Sequence, residues 1–272
     1  MLDTNPMITV ARQALLPSVL TRTAPAAFAE APDVNRISRR YQFISTARVI
    51  AALHEAGFHP TSAQQTRVRR SSPLHARHMI RFTYIKTSLS LIDAVPELIL
   101  INAHDASSAY ILRAGLYRPL CTNGLVTQIG DFGLLYVPHR GNIIHDVVEG
   151  ALQIASRFDD VTRVVERMAS RVLDDEERAA FAMAALKIRY PNPERHVPIT
   201  PGQVLMPRRG PDFGNTLWLT YNVLQENVIA GGLTGRAASG RSSRTRAIRA
   251  IREDIRINVS LWNEAMTLLE AR

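Results

Sequence analysis

QQTRVRRSSPLHARHMIRFTYIK, the stretch from residue 64 to residue 86, decides the fold of this chain. β-Branched and aromatic residues flank the turn-forming SSP at 71–73, and this pattern predicts a β-hairpin. Further apolar runs predict more strands, at 98–101, 109–112 and 126–137. The hairpin therefore opens a meander of antiparallel strands.

The pattern upstream of the hairpin is helical. Ser45 is a favourable N-cap, and Val49, Ile50 and Leu53 then share one helical face until Gly57. Four prolines interrupt residues 1–38. We expect that segment to be a flexible N-terminal arm.

From Asn142 onward the apolar spacing changes to the period of helices, and the last helix carries Ile251, Ile255, Val259 and Trp262 on one face. We therefore predict an α+β protein: an antiparallel β-meander preceded by a helix and followed by a predominantly helical C-terminal half. One domain should span residues 39–272. Its helix and meander would occupy 39–140, and its helical part would occupy 141–272.

The composition indicates a polyanionic partner. The 272 residues carry a formal net charge of +9, and Lys86 and Lys187 are the only lysines among 33 basic residues. Arginine grips phosphate with two parallel hydrogen bonds, so DNA is the expected partner. Another acidic partner and a codon bias of the genome are the alternatives.

Cysteine content and hydropathy exclude several classes of protein. Cys121 is the single cysteine, which rules out an internal disulfide and a cysteine-based zinc finger. No apolar run approaches the length of about 20 residues that crosses a membrane. The N-terminus lacks the basic start of a secretion signal. We expect a cytoplasmic protein without membrane contact.

Two sets of arginines are the candidates for DNA binding. The first lies on the predicted hairpin and comprises Arg67, Arg69, Arg77 and Arg81. Because side chains repeat every second residue in a strand, these arginines would form a basic stripe, with Tyr84 as a stacking surface. The second set lies in the Gly/Ser-rich loop from Gly235 to Arg246, with Arg236, Arg241, Arg244 and Arg246, and continues on the following helix with Arg249, Arg252 and Arg256. A mobile loop of arginines suits contact with a phosphate backbone.

A third group of polar residues lies between the predicted strands. Arg113, Arg118 and Arg140 are further candidates for nucleic-acid binding. His104, Asp105 and His139 could ligate a metal, and Cys121 with His139 could form a nucleophile and base. No motif with diagnostic spacing supports either chemistry. Asp105 is typical of a turn, so we expect no cofactor, no metal and no catalysis.

Several motifs resemble one family of bacterial proteins. They are PELILINAHD at 96–105, RPLCTNGL at 118–125, PRR at 207–209 with Asp212, LWLTYN at 217–222, QEN at 225–227, GG at 231–232, and Asn258 with LW at 261–262. The chain is similar to the phage/plasmid-like proteins catalogued as domain of unknown function 932. That resemblance implies a mobile-element setting and no established activity. The order of elements is also similar to that of Rad52-like single-strand annealing proteins, which is an architectural analogy alone.

These observations lead to a ranked set of functions. The first is sequence-independent binding, and annealing, of single-stranded DNA through arginine–phosphate contacts by a homo-oligomer. The alternatives are a non-enzymatic anti-defence protein that binds a host protein, and a metal-dependent nuclease or hydrolase centred on His104, Asp105 and His139.

Overall fold

The computed structural model describes residues 14–68, 72–87, 94–118, 124–126 and 134–271. It confirms the predicted α+β class, with a helix, an antiparallel sheet and then a mostly helical half. The helices are α1 (Pro17–Thr23), α2 (Thr46–Glu55), α3 (Ile143–Ala155), α4 (Phe158–Ser170), α5 (Asp175–Arg189), α6 (Pro201–Val204), α7 (Leu217–Ala230) and α8 (Ile251–Glu270). The strands are β1 (Phe58–Gln65), β2 (His78–Tyr84), β3 (Val95–Asn102), β4 (Tyr110–Tyr117), β5 (Gly124–Val126), β6 (Leu134–Val137), β7 (Thr234–Arg236) and β8 (Ser242–Arg244).

The main sheet runs in the order β1-β2-β3-β4-β5, and β6 also pairs with β4. All of its pairings are antiparallel. The strands predicted at 98–101 and 109–112 are confirmed within β3 and β4. Of the stretch predicted at 126–137, Val126 ends β5 and 134–137 form β6, while 127–133 lie outside the described residues.

The predicted hairpin is confirmed, but its strands have other limits. β1 and β2 pair from Phe58 opposite Tyr84 to Gln65 opposite His78. β1 begins at Phe58, before the predicted hairpin stretch, because the ring of Phe58 is fully buried in the same core as residues of α2. Arg67 lies past the end of β1 and Arg77 lies before the start of β2, so the predicted stripe of four strand arginines is wrong.

The two faces of the sheet pack against different helices. Ile80, Phe82 and Leu100 belong to a core that includes residues of α2 and α3. On the other face, Met79 and Ile99 pack against Ile251 at the start of α8. This alternation follows from the two-residue period of a strand. The sheet is therefore enclosed between α2 and α3 on one face and α8 on the other.

α7 is the central helix of the C-terminal half, since its residues from Leu217 to Ile229 are buried apart from the half-buried Leu219. It contacts α4, α5 and α8. Trp218 and Trp262 are 3% and 0% exposed, so both tryptophans belong to the core. α5 begins with a capping box between Asp174 and Glu177.

Part of the predicted N-terminal arm is packed on the domain. α1 is followed by a 3-10 turn at Pro25–Phe28, and Leu20, Ala24 and Ala27 are buried in the same core as Phe58. The amide of Ala26 donates to the side chain of Gln65 at 2.8 Å. Residues 14–29 are thus structured in part, whereas the boundary at residue 38 stays a prediction.

A buried ion pair links β2 to β3, and the charge of its arginine acts on a carboxyl group of α8. Arg81 of β2 donates to Glu97 of β3 at 3.1 Å, and their side chains are 5% and 0% exposed. Arg81 also donates to the carbonyl of Leu125 in β5 at 3.2 Å. Burial raises the pKa of Asp254 on α8, and the charge of Arg81 partly offsets that shift. One guanidinium therefore faces carboxylates from both the sheet and the helix.

A cluster of buried histidines closes one end of the sheet. The hydroxyl of Thr46 lies 2.9 Å from Nε2 of His78 and 3.3 Å from Nε2 of His104, and it accepts from the amide of Asn102 at 3.1 Å. Nδ1 of His78 lies 3.0 Å from the carbonyl of Ala76, which can only accept, so Nδ1 carries the proton. Burial lowers the pKa of His78 to about 4 and that of His104 to about 3.

These histidines should make the stability of the protein depend on pH. The unfolded chain takes up protons on both rings near pH 6.5, whereas the folded chain does so only near pH 4 and pH 3. Stability is therefore complete above pH 6.5 and falls as the pH drops toward 4. We expect a loss of about 3 kcal/mol between pH 6.5 and pH 5, measured by urea unfolding.

The matched variants are His104→Gln, which should flatten this dependence, and His145→Gln on the exposed face of α3, which should leave it unchanged. A free energy of unfolding that stays constant between pH 7 and pH 5 would contradict the account.

Candidate nucleic-acid interface

The start of α8 packs on the sheet and positions the second arginine set there. Ile251 is 1% exposed and packs against Met79, Ile99 and Ile101. The side-chain amide of Gln64 in β1 donates to the carbonyl of Arg249 at 3.0 Å. The chain that leads into α8 is therefore fixed to the hairpin formed by β1 and β2.

This packing brings arginines from both predicted sets together. Burial lowers the pKa of the Arg77 guanidinium, the charge of Arg252 lowers it further, and Asp105 opposes both effects. The Arg77 side chain also donates to the carbonyl of Ser107 at 2.8 Å, which fixes its position. Two like charges held near each other at a protein surface favour a polyanion that neutralises both.

Arg113 and Tyr136 extend this surface across the sheet. Arg113 faces Ile99 in the register of β3 and β4, and Tyr136 of β6 pairs with Ile111, so these side chains lie on the same face as Ile251. Burial lowers the pKa of Arg113, and the adjacent Tyr136 opposes that shift. The ring of Tyr136 is 60% exposed. We call Arg77, Arg113, Arg249 and Arg252, with Tyr136, the basic face.

The Gly/Ser-rich loop is a β-hairpin rather than an irregular mobile segment. β7 and β8 pair from Thr234 opposite Arg244 to Arg236 opposite Ser242. Gly240 provides the turn with a φ of +77°. Gly235 is needed because the carbonyl of Pro198 lies too close for any side chain. This basic hairpin carries the exposed Arg236, Arg241 and Arg244, and Arg246 follows it on the way to Arg249.

Two predicted site residues are buried in ion pairs. Arg81 faces Glu97 as described above, and Arg118 at the end of β4 is 1% exposed and lies 2.5 Å from Asp212. The expectation that either arginine is accessible to phosphate is therefore wrong. Both partners are distant in sequence from the arginines they neutralise, and no local spacing signals them.

The remaining predicted residues fall outside the basic face. Arg67 is exposed but lies past the end of β1, and no contact joins it to the basic face among the described residues. Arg69 lies outside the described residues. Arg140 is exposed in the segment after β6, near the histidine cluster. Tyr84 stacks on Phe58 with ring centroids 4.6 Å apart, so Tyr136 replaces it as the exposed aromatic residue.

The histidine and aspartate candidates do not assemble into a metal centre. The rings of His104 and His139 are 6.5 Å apart, and Asp105 turns away to bond Arg36 at 3.4 Å and the amide of Ser107 at 3.0 Å. The turn role predicted for Asp105 is thus confirmed. Within the described residues, no group of three or more His, Cys, Asp or Glu side chains is arranged to hold a metal ion. Cys121 lies outside the described residues.

Within the described ranges, no helix combines the length and the apolar character needed to cross a bilayer.

Comparison with known proteins identifies relatives but no activity. The chain is 41% identical to the UPF0380 protein YafZ of Escherichia coli K12 over 251 residues, which is 92% of this chain and 90% of that protein. It is 41% identical over the same lengths to the UPF0380 protein YfjQ of the same strain. No solved structure matches significantly, so the similarity to Rad52-like proteins stays a prediction. The profile of the domain of unknown function DUF932 matches residues 34–262, and the chain therefore belongs to the DUF932 family.

Proposed function

We propose that this protein binds single-stranded DNA, without sequence preference, by holding the phosphates along its basic face. The observation that carries the proposal is that the charge of Arg252 in α8 lowers the pKa of Arg77 beside β2, while Arg249, just before α8, is bonded to Gln64 of β1. Arginines that are distant in sequence form one surface only because α8 packs on the sheet. Arg249 and Arg252 are exposed there and can reach a ligand.

The basic hairpin supports a path longer than one contact. The chain runs from the basic hairpin through Arg246 to Arg249. The exposed arginines of the basic hairpin are therefore followed in sequence by Arg249 and Arg252 of the basic face. Each phosphate that they neutralise releases counterions, which provides affinity without reading the bases. This arrangement suits the binding of a backbone regardless of sequence.

Tyr136 supports single strands over duplexes. Its ring is 60% exposed beside Arg113 on the same face of the sheet. An exposed aromatic ring next to guanidinium groups stacks on unpaired bases, and every base offers such a face. In a duplex the bases are already stacked on one another. We therefore expect tighter binding to a single strand, which is the property an annealing protein uses.

The salt dependence of binding tests the proposal. Arg249→Ala with Arg252→Ala should weaken binding to single-stranded DNA equally for unrelated sequences. Because each phosphate contact contributes a slope of about −0.7 in a plot of log affinity against log salt, the variant should lose about 1.4 units of slope. Fluorescence anisotropy over a range of salt concentrations measures both quantities.

The matched control is Arg163→Ala with Arg167→Ala, which removes the same charge near Leu269 at the far end of α8. That end lies roughly 27 Å from Ile251, from the helical rise of 1.5 Å per residue. An equal loss of slope in both variants would show that the effect comes from net charge alone and not from the basic face. A slope unchanged by the Arg249 and Arg252 substitutions would refute the interface, and tight salt-insensitive binding to a protein would favour the anti-defence alternative.

We also propose that the protein forms a homo-oligomer through its helical half. Val172, Met183, Met206 and Phe213 are 57%, 49%, 61% and 66% exposed there. Large apolar side chains of this exposure mark interaction surfaces when they lie close together. Val172 forms a β-bridge with Thr216, three residues after Phe213, so Val172 and Phe213 belong to neighbouring segments.

Light scattering tests the oligomer. We expect a mass above that of the monomer at micromolar concentration, and a reduced mass for Val172→Ser with Phe213→Ser. Leu152→Ser on α3 replaces another exposed apolar side chain and should keep the parental mass. A strict monomer, with and without DNA, would exclude the assembly.

A further inference from the structure

A cavity of about 290 Å³ opens at the end of the sheet that the histidine cluster closes. Three segments line it: 38–41 before α2, 106–109 between β3 and β4, and 138–140 after β6. Its volume is at the lower limit of pockets that bind small molecules. The loop 103–109 separates it from the basic face, since Ser107 of that loop accepts from Arg77 at 2.8 Å.

His139 forms the inner wall of the cavity and is rigidly held. Its ring stacks on Tyr41 with centroids 4.5 Å apart and lies 4.9 Å from the ring of Tyr110. Nε2 of His139 lies 2.9 Å from Oδ1 of Asn102. Because the amide of Asn102 donates to Thr46, Oδ1 is the acceptor, and Nε2 of His139 carries the proton. The neutral ring then has its lone pair on Nδ1.

Two buried polar atoms at this wall lack hydrogen-bond partners. Nδ1 of His139 and the hydroxyl of Tyr41 have no partner at hydrogen-bond geometry among the residues that the structure describes, although backbone groups of Gln42 and Ser108 lie beside the His139 ring. His139 is 8% exposed, so water does not fully compensate it. Burial lowers the pKa of His139, although the nearby backbone groups of Gln42 and Ser108 oppose the shift. A buried polar atom without a partner costs about 1–3 kcal/mol, and a ligand that satisfies both atoms recovers it.

The mouth of the cavity is positively charged. Arg40 and Arg140 are exposed lining residues from opposite segments. Burial raises the pKa of Tyr41 to about 12 and the carboxylate of Asp105 adds to that shift, but Asp105 is itself bonded to Arg36 at 3.4 Å and to the amide of Ser107. The cavity therefore combines two guanidinium groups outside with one hydroxyl donor and one imidazole inside.

We propose that this cavity binds a phosphomonoester of nucleotide size. The second pKa of a phosphomonoester lies near 6, so the monoanion, which offers both anionic oxygens and a P–O–H group, makes up about half of it at pH 6 and about a tenth at pH 7. The oxygens would accept from Arg40, Arg140 and the hydroxyl of Tyr41, and the P–O–H group would donate to Nδ1 of His139. A phosphodiester within a strand has no such donor, so the site selects a terminal or free phosphate. This inference does not depend on DNA binding by the basic face.

Two titrations of the full chain test the site and identify the source of the phosphate. Calorimetry with inorganic phosphate and with a nucleoside 5′-monophosphate probes free ligands. Anisotropy with one single-stranded oligonucleotide, carrying either a 5′-phosphate or a 5′-hydroxyl, probes a strand end. We expect phosphate-dependent binding in at least one titration. Arg40→Ala and Arg140→Ala should each weaken it about tenfold, and Tyr41→Phe about threefold to tenfold.

Arg40 and Arg140 are exposed, so their substitution should leave the thermal midpoint unchanged. Arg163→Ala with Arg167→Ala is the charge-matched control and should retain full phosphate binding. The proposal fails if neither titration shows a dependence on phosphate, or if the dependence survives the Arg40, Arg140 and Tyr41 substitutions. Loss of the Arg249 and Arg252 contribution to DNA binding would leave this result unaffected, so the two proposals fail independently.

Discussion

The structure depends on one buried cation, Arg81, at the junction between the sheet and α8. Its guanidinium lies 3.1 Å from Glu97, and its charge acts on Asp254 from the facing helix. A buried charge is tolerated only when partners surround it, so Arg81 favours a position of α8 in which its charge reaches Asp254. Asn258 donates to Asp254 at 3.0 Å and accepts from Gln225 of α7 at 2.9 Å. Hydrogen bonds thus continue from Asp254 to the central helix of the C-terminal half.

That constraint determines what the uncovered part of the sheet presents to solvent. α8 covers Met79 and Ile99 with Ile251, and its first residues place Arg252 beside Arg77. The opposite face is filled by α2 and α3. At the end of the sheet, the histidine cluster fixes the loops that form the cavity. The basic face and the cavity are therefore consequences of how the sheet is enclosed, since neither arises from a single strand or helix.

Local patterns predicted the fold class, the N-cap region of α2 at Ser45 and the apolar face of α8 that carries Ile251 and Trp262, because these depend on neighbours in sequence. They also predicted the two arginine sets. They could not predict that Arg81 and Arg118 are neutralised, because Glu97 and Asp212 come from other elements. The Gly/Ser-rich loop was misinterpreted because Gly235 signals close packing against Pro198 as well as mobility. Tyr136 was missed because its exposure depends on the register of β6 with β4.

The measurement that tests this account most directly is the stability of Arg81→Met, alone and combined with Glu97→Gln, by urea unfolding at pH 8 and pH 5. Removing the cation leaves Glu97 and Asp254 uncompensated, so we expect a loss of about 3–5 kcal/mol at pH 8. The loss should shrink at pH 5, because burial raises the pKa of Asp254 and removal of the Arg81 charge raises it further, so that this carboxyl takes up a proton. The double variant should recover part of it. A single variant as stable as the parent at pH 8 would show that Arg81 does not hold α8 on the sheet.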